Sequence, residues 1–211
     1  MLSSVPMKSD SFEIAPHVKN TDWQALHLTP ESEMNDWQKA VEMFRKRVDR
    51  FIEPANALTR STDTKTIVFS GFAIMALDCL LIETLQSFRT GRTNPVRATD
   101  RQSTQMIVDF LTQRTSFKTF FDDETKARLF CDHFRNGILH QGEVKSSGRI
   151  RIDTPKMIMP SEDNASYIVN RWIFHESLKT EVESYVNELI EGKDVELRKS
   201  FIKKMNEICR I

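Results

Sequence analysis

Arg135, Asn136 and His140 lie close together in the stretch Phe130–Glu143, with the arginine and histidine separated by four residues. Arginine is a permanent cation whose planar fork matches a phosphate, and histidine takes and gives protons near neutral pH. Together they have what is needed to open an RNA phosphodiester through its own 2′-hydroxyl. A second pair with the same spacing, Arg128 and His133, stands on the same segment. Arg135 and His140 are the better pair. A polar residue follows Arg135, whereas Leu129 follows Arg128, and Gly137 lets another backbone come close. The competing reading is structural: a surface arginine and a histidine capping a helix end.

The segment must be an amphipathic helix for this chemistry to have a frame. On a wheel of 100° per residue, Ala127, Phe130, Cys131, Phe134 and Ile138 form a core face, with Asp132, Asn136 and His140 opposite. Arg135 and His140 flank that outer face, about 140° apart on an ideal helix, with Asn136 between them, and the long Arg135 stem lets its head swing toward the same spot. Leu129 and Leu139 also fall outside, which predicts that another surface covers them. Asp122 or Asp123 caps the start and Gly142 ends the helix.

The rest of the chain reads as helices with one strand-rich stretch. Residues 1–28 form an irregular N-terminal arm, with Trp23 and Leu26 as docking points, and 29–211 a single domain. A helix begins at Thr29-Pro30 and stops at Pro54. Residues 55–64 connect it to an apolar central helix, Lys65–Phe88, interrupted only by Asp78 and Glu83. Those two acids argue for a buried helix rather than a membrane span; they line the cleft or satisfy buried partners, with the structural role the favoured one. A loop at Gly91–Pro95 leads to a helix over Asp100–Thr112, then to an aromatic cluster of Phe117, Phe120 and Phe121. After Gly142, alternating residues at Arg149–Asp153, Lys156–Met159 and Tyr167–Phe174 predict a small hairpin or meander over 149–174. Helices then run from Leu178 to Gly192 and from Val195 to Cys209.

Composition narrows the function classes. Thirty basic and thirty acidic side chains cancel, so any nucleic-acid surface must be a local patch. Such patches are Arg89, Arg92, Arg97 and Arg101 around the loop after the central helix, and Lys145, Arg149 and Arg151 after the motif. An ordinary solvated surface is the other reading of both sets. Cys79, Cys131 and Cys209 have neither zinc-ribbon nor redox-pair spacing and fit a reducing, cytoplasmic setting. The N-terminus has no long apolar run, so no secretory leader is expected. Asp122-Asp123-Glu124 reads as a helix-start acid cluster rather than a metal site. His17, His27 and His175 show no partner pattern, and no metal or other cofactor is expected.

The segment Phe134-Arg135-Asn136-Gly137-Ile138-Leu139-His140-Gln141-Gly142-Glu143 resembles the active-site motif of the HEPN superfamily, an arginine followed by a polar residue and, four to six positions on, a histidine. Leu80-Leu81-Ile82-Glu83-Thr84-Leu85 resembles the helix that precedes it. The resemblance covers roughly residues 35–145, and not the strand-rich stretch. It implies a mainly α, HEPN-like helical bundle that pairs with itself. It implies a metal-independent endoribonuclease of the toxin–antitoxin or antiviral-defence kind, with Arg135, His140 and Asn136 catalytic and a protein partner able to neutralise it. Arg92, Arg97, Arg101, Lys145 and Arg149 are the expected RNA contacts. The alternatives are a catalytically silent module that pairs with itself or another protein, and an RNA binder that does not cut.

Overall fold

The computed structural model describes residues 11–92 and 100–211, with the side chains of Asp100 and Arg101 left outside the description. In chain order the elements are β1 (Glu13–Ala15), β2 (Val18–Lys19), α1 (Asn20–Ala25), α2 (Met34–Thr59), α3 (Thr64–Phe69), α4 (Gly71–Thr90), α5 (Asp100–Gln113) and α6 (Glu124–Phe130). A π-helical turn (Cys131–Asn136) leads into α7 (Gly137–Gln141), and β3 (Arg149–Arg151), β4 (Ile158–Pro160), β5 (Tyr167–Asn170), α8 (Arg171–Glu191) and α9 (Val195–Cys209) follow. The protein is mainly helical with two small sheets.

Helix α4 is the hub, with α2, α5, α8 and α9 all packing on it. By length and composition it could cross a membrane. Here its faces instead bury Ile74, Met75, Cys79, Leu81, Ile82, Leu85 and Phe88 in the core. Two aromatic clusters fill the space around it. Phe201 of α9 meets Trp23, Trp37, Phe44, Phe88 and Tyr185, all within 6.4 Å between ring centroids. At the other end Phe130 stacks on both Phe134 and Phe174, with Phe117 and Phe121 closing the edges.

Several boundaries depart from the sequence expectation, each with a contact that accounts for it. Residues 13–25, expected as irregular arm, hold a hairpin and α1, anchored where Trp23 Nε1 donates to Asn206 Oδ1 at 2.8 Å. Helix α2 starts at Met34 rather than Thr29-Pro30 because Thr29 and Ser32 close a turn on each other: the Thr29 amide donates to Ser32 Oγ and the Ser32 amide to the Thr29 carbonyl. The same helix runs through Pro54 to Thr59. An interior proline costs about 3 kcal/mol, but Ala55 and Asn56 beyond it are buried and Asn56 holds His175. The central helix breaks at Ser70 into α3 and α4. Arg171 causes the break. Its Nη2 donates to the Ile67 carbonyl, and its Nη1 lies 2.8 Å from where a Cβ on Gly71 would stand.

The strand-rich stretch is neither a simple hairpin nor a meander. Strands β4 and β5 form the antiparallel hairpin, and β3 joins the far side of β5 in parallel, giving the order β3-β5-β4. Strand β5 ends at Asn170 instead of running to Phe174, because this one side chain serves both neighbours. Its Nδ2 donates to the Thr154 carbonyl at 2.7 Å, and its Oδ1 accepts from the Trp172 and Ile173 amides, capping α8. Expected features that do appear include the Asp123 cap of α6, left-handed stops at Gly142 and Gly192, and α9 over Val195–Cys209.

Two stability predictions follow from this packing. Phe201→Ala removes the ring shared by five aromatic neighbours and should cost about 3–5 kcal/mol in urea unfolding. Asp163 accepts from Ser147 Oγ, Ser161 Oγ and the Ala165 amide, and these bonds hold its carboxyl down at about 2. Its folded value is lower than its unfolded one, so its contribution is complete above about pH 4 and vanishes as pH falls toward about 2. The parent should therefore lose more stability than Asp163→Ala between those limits, the two unfolding curves converging near pH 2.

Candidate active site

The π-turn sets the geometry. Its wider turn carries one extra residue, and such turns occur often at functional sites. The Gly137 amide donates to the Phe134 carbonyl, so the His133 carbonyl has no helical donor from it. The Lys145 amide fills that place at 3.1 Å. The chain after Gly142 thus folds back onto the motif, and the Glu143 carbonyl would lie 2.4 Å from a Cβ on Gly137. The close backbone approach expected at Gly137 is real, and the approaching chain is the protein's own.

On an ideal helix Arg135 and His140 diverge. Here Arg135 Nη1 lies 3.3 Å from His140 Nε2 within one chain. The guanidinium is fixed from three sides: Nε donates to Glu83 Oε1 at 3.0 Å, and Nη1 to Asn136 Oδ1 at 3.0 Å as well as to the imidazole. A guanidinium can only donate. The contact is a hydrogen bond where His140 Nε2 is the accepting nitrogen. Arg135 is only 8% exposed, Asn136 is half-buried and His140 is exposed. The site thus has a buried cation and an open imidazole. Cys131, in the same turn, is pushed up to about 12 by burial and is an inert thiol at neutral pH.

Glu83, expected either to line the cleft or to satisfy a buried partner, is the partner that orients Arg135. Two interruptions five residues apart in an apolar helix were the available signal. The other, Asp78, is fully buried and 2.7 Å from His175 Nδ1, while His175 Nε2 lies 3.3 Å from Asn56 Oδ1. His175, expected to be without a partner, therefore pins α8 to α4 and α2. The rival pair Arg128 and His133 is not assembled. Arg128 bonds Gln105 and Glu124, and the buried His133 Nδ1 lies 3.0 Å from Ser166 Oγ in the turn before β5.

The basic residues divide. Arg92 lines a cavity that Glu83 also lines, next to the motif. The Lys145 side chain comes within 3.5 Å of Gly137's Cβ position, with its ammonium on Asp132 at 2.8 Å, a pairing that lowers the Asp132 carboxyl. Arg149 bonds the Gly148 carbonyl and lines a groove with Glu143. Arg89 is committed elsewhere, with both nitrogens on Glu188 and its fork over the Tyr185 ring. Arg151 is paired with Asp153. Arg97 and the Arg101 side chain lie outside the described residues. Among the described residues no three His, Cys, Asp or Glu side chains come together as a metal site. No family model, curated protein or solved structure matches this chain.

Gly137→Ala tests the fold-back. In an open helix this change gains roughly 1 kcal/mol, but here the new methyl meets the Glu143 carbonyl. We expect a loss of about 1–3 kcal/mol in urea unfolding; a more stable variant would contradict the close approach.

Proposed function

We propose that the chain is a metal-independent endoribonuclease that acts as a homodimer. The observation that supports this best is the contact between the Arg135 guanidinium and His140 Nε2, with Glu83 and Asn136 fixing the guanidinium from the other sides. An arginine so held loses little freedom on meeting a phosphate, and an imidazole with an unprotonated nitrogen is a ready base. The resemblance of the Arg135–His140 segment to the HEPN motif points the same way.

The reaction uses the nucleophile that RNA already carries. The substrate phosphate takes the outer edge of Arg135, and His140 Nε2 gives up its contact with Arg135 and takes the proton of the 2′-hydroxyl. The 2′-oxygen bonds to phosphorus and the bond from phosphorus to the 5′-oxygen breaks. The leaving oxygen gains a proton from His140 of a second protomer, which enters the step as imidazolium and leaves it neutral, so the two imidazoles exchange roles. The products are a 2′,3′-cyclic phosphate and a 5′-hydroxyl. Exposed Leu80 and Leu139, on the two helices that carry Glu83 and His140, are the apolar surface that a second copy would cover. A role as a cytoplasmic defence or toxin-type nuclease, restrained by a neutralising protein, fits this chemistry.

One observation favours a second reading. The Arg135 ion pair is largely buried, and it ties the motif to α4 as a structural pair would. A silent dimerisation module would keep such a pair, and an RNA binder that does not cut is the intermediate case. The experiment is cleavage of 5′-labelled single-stranded RNA by purified protein in EDTA. We expect cutting, a 2′,3′-cyclic end, no cutting where the 2′-hydroxyl is replaced by hydrogen, and at least a hundredfold loss in His140→Ala and Arg135→Ala. Equal rates for His140→Ala and the parent would overturn this mechanism. No cleavage of any RNA, with the protein folded and dimeric, would favour the silent module.

A further inference from the structure

We infer that the cavity between α2, α4, α5 and α9 is a nucleotide subsite that holds one residue of single-stranded RNA beside the cleaved bond. The inference rests on the ribonuclease reading for its position in the reaction, and on the cavity itself for its ligand. The cavity holds about 420 Å³, within the span of pockets that enclose small molecules. Its wall includes Glu83, whose Oε1 accepts from Arg135 Nε. An occupant therefore lies one side chain away from the guanidinium that grips the reacting phosphate.

The lining suits a nucleoside phosphate better than an apolar ligand or a bare anion. Three cations face it, but they are not equivalent. Arg47 already donates to the Ile14 carbonyl at 2.6 Å, and Lys204 is paired with Glu207. Arg92 has only a long 3.5 Å contact to the Gln102 carbonyl and, among the described residues, no carboxylate partner. Its fork is the group positioned to take a phosphodiester. Glu83 and Glu207 bring carboxylates to the same cavity, bonded to Arg135 and Lys204, and their charge disfavours a second phosphate there. Met106 and Ile208 supply apolar surface for the face of a base. A bare phosphate would gain nothing from that apolar surface.

The test measures nucleotide binding to the full-length protein by calorimetry, using the four 3′-nucleoside monophosphates and inorganic phosphate as probes. We expect at least one nucleotide to bind ten times more tightly than inorganic phosphate. Arg92→Ala, and Thr84→Trp placed in the cavity wall, should each weaken that nucleotide at least tenfold with an unchanged circular dichroism spectrum. In RNA cleavage Arg92→Ala should raise KM and leave kcat nearly unchanged. Nucleotides that bind no better than phosphate, or that bind Thr84→Trp as well as the parent, would overturn the subsite. Binding at the cavity without any RNA cleavage would instead overturn the nuclease reading and leave the cavity a nucleotide site. Cleavage with the parent KM in both variants would overturn the subsite alone.

Discussion

Helix α4 has two acids in twenty residues, and the arrangement of the whole molecule turns on how each is satisfied. A lone carboxylate in a helix this apolar would cost several kcal/mol to bury. Asp78 escapes that cost through His175, and in doing so fixes α8 and, through Asn56, α2. Burial raises the Asp78 carboxyl above its ordinary value while the imidazole draws it back. Glu83, five residues on and nearer the surface, is satisfied by Arg135. One acid therefore holds the scaffold and the other holds the candidate site, and the helix between them keeps the two in register.

The motif helix shows why a wheel is a poor guide to a site. Phe130 and Phe134 occupy the expected core face, and Asp132 the expected outer face. Arg135 lies within the π-turn, whose geometry a wheel of 100° per residue leaves out. No local pattern announces that turn. It depends on the Lys145 amide reaching the His133 carbonyl, a contact across twelve residues that hydrophobic periodicity does not encode. The turn also draws His133 inward to Ser166, so the three-stranded sheet is joined to the motif through a buried hydrogen bond rather than merely attached after it.

Much of the scaffold was legible because its signals are local. Asp123, Gly142 and Gly192 mark helix ends by their own chemistry, and the spacing of Leu178, Val182, Tyr185 and Leu189 needs only one helix and one core. Apart from the Thr29–Ser32 turn before α2, the misread boundaries involve a distant partner. Ser70 breaks a helix because of Arg171, a hundred residues on in the sequence, and Pro54 fails to end one because Asn56 is wanted beneath His175. Strand β3 pairs with β5 in parallel, which no hairpin signal foretells. At the site, Arg135, Asn136 and His140 were readable as a set. Glu83 was visible only as an oddity in an apolar helix, since nothing near it in the chain names its partner.

The three cysteines are spread over this framework in a useful way. Cys79 lies on α4, Cys131 in the π-turn and Cys209 at the end of α9, and all three are buried and unpaired. Burial pushes each thiol above its ordinary value, Cys209 to about 11. Alkylating reagents can reach them only when the surrounding helix opens. The molecule thus carries its own set of local gauges: the order in which the three sulfurs are modified reports whether the hub, the widened turn or the C-terminal helix opens first.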